Sequence, residues 1–174
     1  MIRIMSYAKY KHLRNCLRFG PTGEKGNPDS IYKIRDLITL LNKKFSHYYQ
    51  PGEFICIDEG MIPFNGRVKF KIYNPQKPTK WGIKEYVLSD AVVPYTLIIK
   101  LHDGIENEDE ENEQNEVIKG KISNLVLAMT QDYQYKSHKL VMDNYYNSPS
   151  LFQILKSTGI GAIGTLRHNR TGLQ

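Results

Sequence analysis

The sequence predicts a mixed α/β fold in which an antiparallel meander leads into parallel strands, and three observations carry that expectation. Apolar residues recur at helical spacing near the start of the chain. Four short strand-like runs separated by turn residues follow between residues 54 and 101. Helical and strand patterns then alternate to the end. In order, Ser6 can cap a helix over 7–17 that places Tyr7, Tyr10, Leu13, Cys16 and Leu17 on one side and stops at Gly20-Pro21. Asp29 or Ser30 can cap a stronger helix in which Ile31, Ile34, Leu37, Ile38, Leu41 and Phe45 recur, with Lys33, Arg35, Lys43 and Lys44 outward. Strands are expected over 54–58, 67–73, 83–90 and 95–101, punctuated by Asn65-Gly66, Asn74-Pro75, Pro78 and Pro94. Ile118, Ile122, Leu125, Val126 and Met129 describe a further helix, weakened by Gly120. A buried strand over 139–142, a helix opened by Ser148-Pro149 and ended near Gly159, and a strand over 160–166 complete the chain.

Composition narrows the function. With 40% hydrophobic and 24% charged residues among 174, the chain has globular proportions and room for one core. No run approaches the ~20 apolar residues of a membrane helix, and residues 1–7 lack the features of a secretory signal, so an intracellular location is expected. Cys16 and Cys56 have no metal or disulfide spacing and are expected as reduced core residues. The formal net charge is +6, yet residues 103–116 hold eight acids and no base; without them 24 bases face 10 acids. A body that basic favours a polyanionic partner, with nucleic acid foremost. The acidic stretch itself reads as a solvated, mobile loop, because its spacing does not match an EF-hand.

Two carboxylates follow apolar runs: Ile55-Cys56-Ile57 leads into Asp58, and Leu140-Val141-Met142 into Asp143. Continuous apolar runs suit central strands covered on both faces, and ligands of open α/β sheets gather at the carboxyl ends of such strands. If the two strands are neighbours, Asp58 and Asp143 converge, and a hard divalent cation, Mg²⁺ or Mn²⁺, relieves their repulsion. Turn-capping by each Asp through local backbone amides is the alternative.

The stretch from Phe64 to Tyr73 would place Arg67, Lys69 and Lys71 on one strand face and Val68, Phe70 and Ile72 on the other, with Lys77, Lys80, Trp81 and Lys84 following. A basic row beside aromatic residues suits a nucleic-acid backbone, and an edge strand protected by lysines is the competing reading. The tail Arg167-His168-Asn169-Arg170 is either a second phosphate contact or a solvated terminus. The five histidines share no ligand spacing.

Four blocks resemble the piggyBac transposase family and come in its order. They are Ile57-Asp58-Glu59-Gly60-Met61 with Phe64-Asn65-Gly66-Arg67; Tyr73-Asn74-Pro75-Gln76-Lys77-Pro78-Thr79-Lys80-Trp81-Gly82-Ile83-Lys84; Met142-Asp143-Asn144-Tyr145-Tyr146-Asn147-Ser148; and Gly164-Thr165-Leu166-Arg167-His168-Asn169-Arg170-Thr171-Gly172-Leu173. The resemblance implies a ribonuclease H-like core for cut-and-paste DNA transposition at TTAA sites. There, three aspartates bind two divalent metals, Mg²⁺ or Mn²⁺, for phosphoryl transfer. Asp58 matches the first aspartate and Asp143 the second, while the family's third lies beyond the last matching block.

The resulting expectation is an N-terminal helical segment over 1–52 and a partial ribonuclease H-like catalytic domain over 53–174, truncated at its C-terminus. Its partner is expected to be DNA, contacted by Arg67, Lys69, Lys71, Lys77, Lys80, Lys84, Arg167 and Arg170. A nuclear location is implied, and a homodimer stays open. As a transposase fragment with two of three aspartates, the chain is expected to be inactive alone. Two other readings are a transposon-derived, non-catalytic DNA-binding or interaction protein, and a metal-dependent nuclease that borrows a third carboxylate from the acidic loop or from Glu59.

Overall fold

The computed structural model describes residues 4–20, 29–104 and 120–165. Its elements, in chain order, are α1 (Tyr7–Cys16), α2 (Tyr32–Tyr48), β1 (Phe54–Pro63), β2 (Lys71–Tyr73), β3 (Trp81–Asp90), β4 (Thr96–Leu101), α3 (Lys121–Thr130), β5 (Lys139–Met142), α4 (Pro149–Ser157) and β6 (Gly161–Gly164). A short 3₁₀ turn, Gln131–Tyr133, follows α3. Six strands form one sheet in the order β2-β3-β1-β5-β6, with β4 also paired to β3. The β1, β3 and β4 pairings are antiparallel, and β1, β5 and β6 run parallel. The mixed sheet expected from the sequence is therefore present, and the parallel strands β5 and β6 are linked through α4, as such a crossover requires.

One sheet face carries the main core. Ile55 and Ile57 of β1, Tyr86 and Leu88 of β3, and Leu140 and Met142 of β5 join Leu125, Val126 and Met129 of α3 and Leu151 and Leu155 of α4. Strand side chains alternate faces, so the other face receives Cys56, Val87 and Val141, all only half-buried. The apolar runs into the two aspartates are thus covered tightly on one face rather than on both. A second cluster lies at the β3-β4 end, where Ile31, Phe70, Ile83 and Leu101 pack with Ile34 and Ile38 of α2. Asn42 fixes that helix to the β4 edge: its amide donates to the Ile99 carbonyl and its Oδ1 accepts from the Ile99 amide, both at 2.9 Å.

Local signals explain most element ends. The Ser6 side chain accepts from the Lys9 amide at 3.3 Å, and Ser148 accepts from Leu151 at 3.2 Å with Pro149 opening α4. Asp29 instead accepts from the Ile31 amide at 3.0 Å, one position ahead of α2, and also pairs with Arg35. Gly159, at φ +75°, provides the left-handed residue that turns α4 into β6.

Three expectations need correction. Strand β2 covers Lys71–Tyr73 instead of 67–73, because β3 offers it partners only from Trp81 to Ile83. Beyond that, the Lys84 carbonyl accepts from His102 at 2.9 Å and β4 occupies the edge from Glu85 onward. Arg67, Lys69 and Lys71 consequently do not form one strand face. Strand β1 runs on past Asp58 to Pro63, since β3 continues to pair with it as far as Gly82. Cys16 is exposed, as is the apolar side of α1, whose residues are all outside the core; Cys56 is half-buried. Residues 105–116 of the acidic stretch, Ile118 of the expected helix, and the tail with Arg167 and Arg170 lie outside the described residues.

Candidate metal centre and nucleic-acid interface

The register of β1 and β5 sets the centre. Cys56 pairs with Val141 and Ile57 with Met142, both in parallel, so the next residues, Asp58 and Asp143, stand side by side where that pairing ends. Both are exposed. Each is oriented by one short backbone bond, Asp58 Oδ1 from the Glu59 amide and Asp143 Oδ1 from the Tyr145 amide, both at 2.8 Å. One oxygen of each carboxylate therefore caps its own turn, as the turn-capping reading expects, and Oδ2 of each has no hydrogen-bond partner among the described residues.

Beneath this pair, on the core face, Glu59 accepts from the Tyr146 hydroxyl at 3.2 Å and forms an ion pair with Lys77 at 3.4 Å. Burial first, and then the facing Glu59 carboxylate, push the Tyr146 hydroxyl well above the ordinary tyrosine range, so it stays a donor. Glu59 therefore points away from Asp58, which removes it as the borrowed third ligand. Lys84 lies between two rings, 4.9 Å from the Tyr86 centroid and 4.7 Å from that of Tyr145. Burial pushes Tyr86 up to about 12. The turn after Asp143 is locked by Asn147, fully buried, whose amide donates to the Thr165 carbonyl at 2.7 Å. A side chain at Gly164 would fall 2.2 Å from that amide nitrogen, which accounts for glycine on β6 there.

The basic residues divide into two sets. Lys71 donates to the Gly66 carbonyl at 3.1 Å and sits 5.3 Å over the Trp81 ring; Lys77 is held by Glu59, and Lys84 by its two tyrosines. Arg67, Lys69 and Lys80 are exposed and have no ion-pair or hydrogen-bond partner among the described residues.

Residues 1–173 match the family model described as Transposase IS4. The chain belongs to that transposase family. Among curated proteins it is 27% identical over 139 residues to the human PiggyBac transposable element-derived protein 3, covering 80% of this chain and 23% of the relative. It is equally similar to the human chimeric ERCC6-PGBD3 protein, of which it covers 13%. Among solved structures it matches the cryo-EM structure of the piggyBac transposase synaptic complex with hairpin DNA. The TM-score is 0.82 at 23% identity, across 98% of this chain and 35% of the other. The chain thus spans about a quarter or less of the curated relatives it matches.

The expected piggyBac-type relationship and ribonuclease H-like fold are both present in this family member. No helix among the described residues is long and apolar enough to cross a membrane. The donors of this candidate centre, Asp58 and Asp143, are carboxylate oxygens of the kind that suits a hard cation, with one atom each lacking a hydrogen-bond partner among the described residues. They remain two, because no group of three or more His, Cys, Asp or Glu among the described residues is placed to hold a metal. A carboxylate the sequence reading passed over is Glu85. It lies on the Asp58 face, opposite Gly60 and diagonal to Asp58, where β-carbons stand roughly 7 Å apart. Burial raises its pKa. Only the β1-β3 register reveals it.

Proposed function

We propose that this chain is the DNA- and cation-binding part of a piggyBac-type transposase centre. In this reading Asp58 and Asp143 hold Mg²⁺ or Mn²⁺. The single observation that carries it is the parallel β1-β5 register, which ends with Ile57 opposite Met142, the residues that immediately precede Asp58 and Asp143. When bound, the ion would supply electrostatic stabilisation of a phosphoryl group and of an attacking or leaving oxygen. The chain's own residues orient it: the Glu59 and Tyr145 amides fix one oxygen of each aspartate, and the Asn147 lock holds the turn that carries Asp143.

DNA is the proposed partner. Arg67, Lys69 and Lys80 offer exposed charges for phosphates, while Lys71, Lys77 and Lys84 add field from positions already tied to the protein. Arg167 and Arg170 extend this set in the sequence. With two carboxylates brought to this centre among the described residues, the proposed role of the chain alone is to bind cation and DNA without cutting the DNA.

Mn²⁺ titration followed by electron paramagnetic resonance tests the reading. Wild type and the Glu53→Gln control should bind alike, and Asp58→Asn or Asp143→Asn should each weaken binding at least tenfold. Equal binding by all four would end the metal assignment. A supercoiled plasmid incubated with the chain in Mn²⁺ should stay intact; nicking lost on Asp143→Asn would show a competent centre and contradict the inactive-alone reading.

A further inference from the structure

We propose that the Tyr73 and Trp81 rings form a stacking platform for unpaired DNA bases, an inference that rests on the DNA reading above and adds a site to it. The two residues are cross-strand partners at the end of the β2-β3 pairing. Their ring centroids are 4.8 Å apart, and they are 51% and 54% exposed. Two large rings in contact with each other thus leave about half their surface to solvent, while Tyr86, Tyr133 and Tyr146 are buried.

The loop that carries the two rings is closed by hydrogen bonds. The Asn74 amide donates to the Lys80 carbonyl at 2.8 Å, closing the loop between the strands, and Asn74 Oδ1 accepts from Gln76 at 3.0 Å. Lys77, inside that loop, is anchored to Glu59 on β1. A loop closed in advance loses less conformational entropy when a ligand arrives.

Charge identifies the ligand class. Residues 60–84 contain six bases and no acid, and the Lys71 ammonium sits 5.3 Å from the Trp81 ring centroid. A polyanion bearing flat π-faces satisfies both features. In a duplex those faces are covered by neighbouring bases, so the platform fits single-stranded or splayed nucleotides. Alternation places Trp81 on the same sheet face as Val87, the partner of Asp58. It stands six residues further along β3, roughly 20 Å at the rise of an antiparallel strand.

Trp81 is the chain's single tryptophan, so its emission reports directly on the platform. The full chain is titrated with dye-labelled oligothymidylate and with a labelled hairpin duplex, reading dye anisotropy and Trp81 emission in parallel. Single-stranded DNA should quench Trp81 along the same isotherm as the anisotropy. Trp81→Ala should weaken its binding about tenfold, as expected for one stacked base, with Trp81→Phe retaining most of the affinity and duplex binding changing less than twofold. Binding seen by anisotropy without quenching, or equal losses on both DNAs, overturns the platform and leaves the DNA reading intact. No anisotropy change with either DNA at low salt overturns both.

Discussion

At the residue scale, Asp90 joins three segments through one buried carboxylate, 5% exposed. Its Oδ1 accepts from the Val92 and Val93 amides at 2.8 and 2.9 Å, and Oδ2 from the Gly52 amide at 2.8 Å and the Tyr49 hydroxyl at 3.0 Å. The backbone donors at Val93 and Gly52 chiefly hold its pKa down at about 2. Because the folded value lies below the ordinary carboxylate value of 3.8, this stabilisation is complete above about pH 4 and is lost as pH falls towards 2. Asp90→Asn should lower stability at pH 7 by about 2 kcal/mol and flatten the acid dependence between pH 4 and 2. Urea unfolding across that range reads both effects, and an unchanged acid limb would refute the assignment. Nothing in the sequence distinguished Asp90 from an ordinary strand-end residue. Its donors come from positions 49, 52, 92 and 93, which only the folded chain assembles.

At the element scale, α2 is attached to the sheet through the second core cluster and through Asn42, which replaces a missing strand at the β4 edge. Removing that side chain with Asn42→Ala leaves the Ile99 amide and carbonyl without this partner. Hydrogen exchange at the Ile99 amide should then quicken roughly tenfold, with global stability lower by about 1–2 kcal/mol; unaltered exchange would show that the helix is held by its apolar contacts alone. The helix and the strands themselves were legible, because α2 repeats its apolar residues at helical spacing and β5 is a short apolar run with clear ends. Their limits were less so. The edge competition between β2, His102 and β4 is a long-range effect, and it shortened the expected 67–73 strand. Strand β1 lengthened for the complementary reason, since its antiparallel partner continues.

At the scale of the whole molecule, the order β2-β3-β1-β5-β6 turns two aspartates 85 positions apart in the sequence into neighbours. The sequence suggested their chemistry through the apolar runs before them, but adjacency depended on β1 pairing with β5. Glu85 and the Glu59-Tyr146 link were illegible for the same reason: each is created by register or packing across strands. In the proposed centre, Asp58 and Asp143 share one cation. Fe²⁺ can occupy such an oxygen site, and with ascorbate and peroxide it generates radicals that cut the backbone nearby. Peptide mapping of the cut chain should find breaks clustered near residues 58 and 143, suppressed together by excess Mg²⁺ and absent in Asp58→Asn. Cuts elsewhere, or cuts near only one aspartate that persist in Asp58→Asn, would contradict the shared site.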